Sequence, residues 1–341
     1  MKAYQIGPQT GLDSLTPVER PAPKPGPGEV LLDVLSVCLN HRDMDVLKGR
    51  YGPKRDQNRI PVSEGVGRVA ALGDGVTGLA VGDRVVGPHF VTWIDGDFSP
   101  AAFGHDVGIT HDGWLAEQVV MPAAALIRVP DGVSNDQAAP LASSALTAWH
   151  AVVEVGKVKA GDLVLTLGTG GVSIFALQIA KMHGARVAIT SSSDDKLALA
   201  RKLGADITIN YKVQSDWAAA LAAETGGRGA DIILETGGQS TLPMSVTAAA
   251  PNARLVIIGF LAGFESAGLP NYGSIIGKNL TLRGIAEGSR AMLARLLAAI
   301  DANGLQPVID KRFSFDEAPH AYRYLESGAH VGKVVIDIAR P

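Results

Sequence analysis

The feature that most constrains the fold is a glycine-rich turn in the segment LTLGTGGVS at residues 165–173. Gly168 and Gly170 hold the first two positions of the pattern G-x-G-x-x-G, and Ser173 holds the third. Glycines there let backbone N–H groups approach a pyrophosphate at the positive end of a helix. Such turns also occur without a nucleotide. The prediction of a dinucleotide site, to which Gly171 and Val172 also contribute, therefore depends on the surrounding pattern.

The residues around this turn alternate between short apolar strands and helices. The predicted strands are Asp162–Gly168, Arg186–Ser191, Ile207–Asn210, Asp231–Gly237, Arg254–Gly259 and Leu280–Ile285. The predicted helices include Gly171–His183, Asp194–Leu203, Ser215–Glu224 and Ser240–Ala250. Alternation of this kind builds a parallel sheet covered on both faces. The middle of the chain is therefore predicted to be a doubly wound α/β domain.

The first part of the chain has a different pattern. Short apolar runs are broken by Gly, Asp and Pro, which is typical of an antiparallel barrel or sandwich. The runs are Val30–Val37, Gly65–Leu72, Val81–Gly87 and Leu115–Met121. The stretch Pro88–Gly113 has no clear period and is predicted to be a surface excursion. The last strand, Lys333–Ile338, is expected to return to this first domain.

Charge and cysteine content exclude several classes of function. The chain has 31 Lys and Arg against 34 Asp and Glu, so it lacks the positive charge that nucleic acids and anionic membranes attract. Its one cysteine, Cys38, excludes a disulfide framework and a thiolate-rich zinc site. No signal-peptide pattern and no apolar stretch of about 20 residues is present. We expect a cytoplasmic protein.

The end of the second predicted strand bears on the choice of dinucleotide. Enzymes that bind NAD place an acidic residue there, which accepts from the ribose 2′-hydroxyl and repels a 2′-phosphate. This chain has Ser191 and Ser192, and Lys196 follows. Hydroxyl and ammonium groups suit a phosphate, so NADP is predicted over NAD. The alternative is that Ser193 or Asp194 merely caps the next helix and that Lys196 is solvated.

The ordered motifs of the chain resemble the medium-chain dehydrogenase/reductase superfamily. They are LSVCLNHRDMDVLKGRYG, SEGVGRVAALGDGV, VGDRVVG, DGWLAEQ, PLASSALTAWHA, LGTGGVSIFALQIAK, ARKLGADITINY and GKVVI. The resemblance implies an α/β fold in which a Rossmann domain interrupts a GroES-like β-rich catalytic domain. We place the GroES-like domain at 1–130, the Rossmann domain at 131–285 and the return to the catalytic domain at 286–341.

The same resemblance bears on zinc. Zinc-dependent members bind catalytic zinc through a leader Cys, the His of a G-H-E motif and a Cys before the hinge helix. The matching positions here are Asn40, Ser63 and Ser143, and zinc prefers thiolate and imidazole to amides and hydroxyls. The chain is therefore similar to the zinc-free quinone oxidoreductases and enone reductases. A metal site of different composition is the alternative, with the ligands His41, Asp43 and Glu64.

The resemblance implies catalytic roles for residues in the leader. Asn40, Asp43 and Tyr51 match N-x-x-D…G-x-Y of the quinone reductases, whereas Asp45 stands where some relatives carry a second tyrosine. A reduced nicotinamide would transfer hydride to a conjugated carbonyl, and the amide of Asn40 and the hydroxyl of Tyr51 would donate to its oxygen. The proton would come from Tyr51 or water. Asp43 would orient a neighbour.

Further cofactor contacts are expected from residues scattered along the chain. Thr147 is expected beside the nicotinamide, which Gly259 and Phe260 border. Tyr211 is expected near the adenosine end, or it is a plain strand-end aromatic. Lys333 is expected to reach the cofactor or only to terminate a strand.

Three hypotheses for the function follow. The first is a zinc-independent NADPH-dependent reductase of quinones or activated alkenes. The second is an alcohol or carbonyl dehydrogenase, and the third is an NADPH-binding scaffold or sensor with little turnover. The resemblance also implies a homodimer, formed by edge strands of the Rossmann sheet near Leu280–Ile285 or Arg254–Gly259.

Overall fold

A computed structural model of the protein describes residues 1–52, 58–263 and 265–338. The chain divides into two compact units. The split unit comprises Met1–Leu146 and the described part of Gly288–Pro341, and the inserted unit comprises Thr147–Glu287. The split unit thus extends beyond the segment 1–130 expected from sequence. The last three residues of the expected segment 286–341 lie outside the described residues.

Two contacts explain why residues 131–146 fold with the split unit. The side-chain amide of Gln137 donates to the carbonyl of Leu305 at 3.2 Å. The backbone N–H of Ser143 donates to the carboxylate of Glu64 at 2.6 Å. Both partners are far away in sequence but belong to the same unit.

The split unit is built on a mainly antiparallel sheet. The strands are β1 Lys2–Ile6, β2 Leu15–Glu19, β3 Glu29–Leu39, β4 Glu64–Leu72, β5 Arg84–Val86, β6 Gln118–Pro122, β7 Ile127–Arg128, β14 Ile309–Ser314 and β15 Lys333–Asp337. The sheet order is β14-β15-β3-β4-β5-β7, β6 pairs with β3, and β1 and β2 form a separate two-stranded ribbon. The helices are α1 His41–Leu47, α2 Asn135–Ala138, α9 Arg290–Asn303 and α10 Ala318–Glu326. The returning strand β15 lies between β14 and β3.

The stretch Pro88–Gly113 agrees only in part with the expectation of a surface excursion. It has little regular structure, yet Phe90 is 1% exposed and Trp93 is 5% exposed. Their rings pack edge-on or tilted against Phe98 and Phe103. His89, expected at the surface, is buried as well. Phe90 and Trp93 thus belong to a small aromatic cluster, which strand and helix periodicity cannot reveal, while most residues from 94 to 105 are exposed as expected.

The inserted unit is a parallel sheet flanked by helices. Among its described residues the sheet has six strands in the order β10-β9-β8-β11-β12-β13, which is the doubly wound order of dinucleotide-binding domains. The strands are β8 Leu163–Leu167, β9 Arg186–Ser191, β10 Ile207–Asn210, β11 Ala230–Glu235, β12 Ala249–Ile257 and β13 Thr281–Gly284. The helices are α3 Leu146–Trp149, α4 Gly171–Met182, α5 Asp194–Lys202, α6 Trp217–Glu224, α7 Leu242–Ala248 and α8 Tyr272–Gly277. The predicted fold class is confirmed.

The central strands form because they are apolar on both faces. The side chains of β11 are all buried, as are the first four of β8. In a parallel sheet with helices on both sides, such continuous apolar runs are expected. None of the helices in the described ranges combines the length and apolar character that crossing a membrane requires.

Candidate active site

The turn between β8 and α4 leaves open space at the start of a helix. Gly168 has a φ of +80°, which favours glycine, and Gly170 is the N-cap of α4 with an ordinary φ of −76°. A Cβ atom built on either glycine would meet no atom within 4 Å. The first N–H groups of a helix lack intrahelical partners and carry partial positive charge. The turn therefore fits the pyrophosphate of a dinucleotide.

Ser173 gives the third position of the glycine pattern a structural role. Its hydroxyl donates to the carbonyl of Leu167, the last residue of β8, at 2.8 Å. The bond ties the first turn of α4, which includes Gly171 and Val172, to the strand before it. A serine at this position thus holds strand and helix together, which suits the close packing that the pattern requires.

The predicted adenosine-end residues meet at the carboxyl ends of β9 and β10. Ser191 is buried at the end of β9, and Ser192 follows it half-buried. The backbone N–H of Tyr211 donates to the carbonyl of Ser191 at 3.0 Å, and the Tyr211 side chain is 42% exposed. Ser193 accepts from the N–H of Lys196 at 3.5 Å, which is the helix cap given above as the alternative interpretation.

A buried carboxylate at the end of β11 organises the neighbouring loop. Glu235 is fully buried and accepts four hydrogen bonds. The donors are the N–H groups of Gly237 (2.8 Å) and Gly238 (2.9 Å) and the hydroxyls of Thr241 (2.6 Å) and Ser245 (2.5 Å). Glu235 was not among the residues predicted from the sequence. An acid that closes an otherwise apolar strand was the available signal.

Gly259 and Phe260 lie beside this loop. The N–H of Gly259 donates to the Glu235 carbonyl at 3.4 Å. A Cβ atom on Gly238 would lie 2.8 Å from the Cα of Phe260, so only glycine fits there. Phe260 itself is 43% exposed. Thr147 is buried in α3, and its cofactor contact stays a prediction.

In the split unit, a lysine lies at the centre of a buried polar cluster. Lys333 is the first residue of β15 and is 2% exposed. Its ammonium donates to four oxygen atoms: the Leu39 carbonyl (3.0 Å), Asn40 Oδ1 (2.6 Å), Glu64 Oε1 (2.9 Å) and Ser144 Oγ (2.9 Å). We call Lys333, Asn40, Glu64 and Ser144 the Lys333 cluster.

The charges in the cluster stabilise each other. Burial works to lower the pKa of the Lys333 ammonium, but it is outweighed and the pKa is raised, because the Glu64 carboxylate lies 2.9 Å away and accepts its hydrogen bond. The Cys38 thiol is buried, its pKa is raised chiefly by burial, and it donates to the Val334 carbonyl at 3.3 Å. The lysine therefore stays charged and is paired with Glu64.

Asn40 is the member of the cluster whose side-chain nitrogen uses only one of its two hydrogens in the described residues. Its Oδ1 accepts from Lys333 and from the Ser144 hydroxyl at 2.7 Å, while its Nδ2 donates to Glu64 at 2.8 Å. An amide nitrogen carries two hydrogens. Among the described residues the second hydrogen has no acceptor. Asn40 is 8% exposed, so this donor is available to a small ligand.

Asp43 holds the backbone around Asn40. It accepts from the N–H of Asn40 at 2.8 Å and from the N–H and hydroxyl of Ser63, both at 3.2 Å. Burial raises the pKa of this carboxyl to about 6. Tyr51 lies further along, half-buried, with the guanidinium of Arg42 4.9 Å from its ring centre. Its role as a donor to substrate stays a prediction.

The residues at the three zinc-ligand positions do not fit zinc. The Asn40 oxygen already accepts from an ammonium, and the Ser63 hydroxyl donates to Asp43. Ser143 offers a hydroxyl, which zinc disfavours. Throughout the described ranges, no three His, Cys, Asp or Glu side chains are grouped to hold a metal. The alternative site with His41 is therefore not assembled, and His41 lies 3.4 Å from Asp45 instead.

We predict that Gly170→Ala separates cofactor binding from folding. The ordinary φ and the open space predict little change in the free energy of unfolding. A methyl group in that space should weaken NADPH binding about tenfold or more, as measured by cofactor fluorescence titration. Gly104→Ala, which also meets no atom within 4 Å, is the matched control. Unchanged NADPH affinity in Gly170→Ala would contradict the assignment.

We also predict a pH signature for Asp43. Its folded-state pKa of about 6 lies above the ordinary value of 3.8, so its contribution to stability is present below about pH 4 and is lost as pH rises through 6. The difference in unfolding free energy between wild type and Asp43→Asn should change by about 3 kcal/mol across that range. Chemical denaturation from pH 4 to 7 measures it. A difference between wild type and Asp43→Asn that stays flat from pH 4 to 7 would refute the shift.

Comparisons with known proteins agree with the two-unit architecture. An alcohol dehydrogenase GroES-like domain family matches residues 26–131, and a zinc-binding dehydrogenase family matches residues 171–302. A zinc-type alcohol dehydrogenase-like protein of Schizosaccharomyces pombe is 41% identical over 96% of both chains. The crystal structure of a putative alcohol dehydrogenase from Sinorhizobium meliloti is 40% identical, covers 99% of both chains and has a TM-score of 0.91.

Other solved structures share the fold but differ in cofactor and substrate. An NAD-dependent alcohol dehydrogenase is 33% identical, with a TM-score of 0.89 over 99% of this chain and 100% of its own. A mycobacterial protein complexed with NADPH and a mycobacterial quinone oxidoreductase are each 27% identical, with TM-scores of 0.82 and 0.81 over the same shares.

Proposed function

Because the chain belongs to the medium-chain dehydrogenase/reductase superfamily of NAD(P)-dependent oxidoreductases, we propose that it reduces a quinone or an α,β-unsaturated carbonyl with NADPH and without zinc. The observation that carries the proposal is the Asn40 amide. At a position where zinc-dependent members have a thiolate, this chain presents a buried, fixed N–H donor. A hydrogen-bond donor suits a carbonyl oxygen, whereas it cannot hold a metal.

The chemistry follows from what such a donor can do. When bound, a reduced nicotinamide supplies hydride to the electron-poor carbon of the conjugated substrate. The Asn40 N–H then meets the negative charge that develops on the carbonyl oxygen, an interaction worth about 3 kcal/mol in the barrier. Asp43 keeps the Asn40 backbone in place. The proton comes from the Tyr51 hydroxyl or from water. An alcohol would instead need a group that lowers its hydroxyl pKa.

The preference for NADPH is supported by the end of β9. The strand ends in Ser191 and is followed by Ser192, so no carboxylate stands where the ribose 2′-hydroxyl would bind. The nearest acid, Asp194, accepts from the side chain of Asn210 at 2.9 Å. The NADPH complex among the solved relatives agrees with this choice, while the NAD-dependent relative does not.

An alcohol dehydrogenase is the second candidate function. The relatives at 41% and 40% identity carry that name. The cofactor turn suits this reaction as well, and the Asn40 amide would also donate to the oxygen of a simple ketone, although conjugation would not then help to carry the charge.

The deciding experiment is a steady-state assay of the purified protein with NADPH and NADH. We expect NADPH oxidation with 1,4-quinones and α,β-unsaturated ketones, slower turnover with NADH, and little oxidation of simple alcohols with NADP⁺. Activity should survive dialysis against a chelator. Elemental analysis should find no stoichiometric zinc.

Ser191→Asp is the matched variant for cofactor choice, because it restores a carboxylate at the end of β9. The variant's preference between NADPH and NADH should shift toward NADH, since the new carboxylate repels a 2′-phosphate. Alcohol oxidation that exceeds quinone and enone reduction would favour the second candidate. Tight NADPH binding without any turnover would indicate the scaffold or sensor.

We also propose that the protein forms a homodimer through the β13 edge of the inserted unit. β13 is the last strand in the sheet order, and three of its four residues are exposed. Large apolar side chains lie nearby on the surface: Leu269 (80% exposed), Tyr272 (64%) and Ile276 (79%). An unpaired edge beside an apolar patch favours pairing with a second copy.

We predict that Ile276→Asp gives a monomer. A charge at the centre of an apolar contact should prevent association, while folding is unaffected because the side chain is exposed. Light scattering after size-exclusion chromatography measures the mass. Val213→Asp, which changes an exposed side chain after the opposite edge strand β10, should leave the mass unchanged. A dimer that persists in Ile276→Asp would refute this interface.

A further inference from the structure

We propose that Lys333 is a positioning residue for the reaction. Together with Glu64 it fixes the orientation of the Asn40 side-chain amide, with the oxygen toward Lys333 and the nitrogen toward Glu64, and so leaves one N–H of that nitrogen for the substrate. The inference rests on the proposed function and goes beyond it. It assigns to the last strand of the chain a role in orienting the group that binds the substrate oxygen.

The Asn40 amide has two neighbours of opposite charge, Lys333 and Glu64. An ammonium group can only donate hydrogen bonds, and a carboxylate can only accept them. Lys333 lies 2.6 Å from one end of the Asn40 amide, and Glu64 lies 2.8 Å from the other. The end toward Lys333 must therefore be oxygen, and the end toward Glu64 must be nitrogen. A flipped amide would place NH₂ against an ammonium and oxygen against a carboxylate.

Ser144 completes the arrangement. Its hydroxyl accepts from Lys333 at 2.9 Å and donates to the Asn40 oxygen at 2.7 Å. The oxygen thus receives two hydrogen bonds from donors that are themselves fixed. Both lone pairs of the oxygen are used, and the second hydrogen of Nδ2 is left as the available group. Lys333 in this way determines which donor a substrate would meet.

The same contacts bear on the expected role of Lys333 at the cofactor. Its three hydrogens are shared among four oxygen atoms of the split unit, and the side chain is 2% exposed. We infer that it acts through Asn40 and not by touching the cofactor. A purely structural role, in which Lys333 only neutralises Glu64, is the competing explanation that the experiment must separate.

The test compares Lys333→Met with the double variant Lys333→Met/Glu64→Gln. The single variant leaves a buried unpaired carboxylate and should be strongly destabilised. The double variant removes both charges together, so its free energy of unfolding should stay close to that of wild type. Since the Ser143 N–H would hold the oxygen of the glutamine introduced at position 64 and turn its NH₂ toward Asn40, this variant no longer favours the native orientation of the Asn40 amide. Its kcat for quinone or enone reduction should fall about tenfold, by partial loss of an oxyanion donor. Its NADPH Kd should stay within about threefold of wild type.

A second readout does not depend on turnover. The ¹⁵N–¹H side-chain amide signals of Asn40 are identified by their absence in Asn40→Asp. They should shift or broaden in the double variant, because the bond to the ammonium is lost and the amide can flip. Lys181→Met, which removes a lysine paired with Asp206 at the surface, should leave both kcat and these signals unchanged.

The outcomes are distinguishable. Wild-type kcat in the double variant, or unchanged Asn40 signals, would overturn the positioning role. An NADPH Kd raised tenfold or more with unchanged Asn40 signals would assign Lys333 to the cofactor instead. If the wild type reduces neither quinones nor enones, the proposed function fails. The positioning role is then decided by the Asn40 signals alone.

Discussion

The ion pair between Lys333 and Glu64 is the interaction on which the split unit depends. Both side chains are almost completely buried, so neither charge is tolerable without the other. The pair joins the strand near the chain end to β4 across 269 residues of sequence. It brings with it Asn40 at the start of α1 and Ser144 in the helical turns before the inserted unit. Removing the returning strand would therefore leave Glu64 unpaired and Asn40 unsupported.

Glu235 shows the same principle in the inserted unit by a different route. There the buried carboxylate is balanced by two backbone N–H groups and two hydroxyls, and within the described ranges no cation is among its hydrogen-bond donors. Four donors spread the negative charge and pin the loop that follows β11. The contrast is informative: Glu235 fixes backbone, whereas Glu64 fixes an amide side chain. A carboxylate orients an amide most strongly when a cation lies at the other end of the amide. The carboxylate then requires a donor at one end, and the cation requires an acceptor at the other.

Local patterns predicted the inserted unit well because its signals are local. The glycine turn, the apolar strands and the Ser193 cap each depend on a few consecutive residues, and each is found where it was expected. The Lys333 cluster was beyond such reasoning, because its members are brought together by strand order. Asn40 was predicted as a pocket residue through resemblance, but nothing near it in sequence indicates its partner at 333. The aromatic cluster of Pro88–Gly113 was missed because it has no period.

The cluster also limits the chemistry available to the chain. A divalent cation can bind a substrate oxygen directly and lower the pKa of an alcohol, whereas the Lys333 ammonium already has four oxygen neighbours. Its charge reaches a substrate only through the Asn40 amide, as a hydrogen bond. A hydrogen bond stabilises the negative charge that conjugation delivers to a carbonyl oxygen, but it lowers the pKa of an isolated alcohol hydroxyl only a little. Quinones and enones, the substrates we propose, are those for which that weaker assistance would be enough.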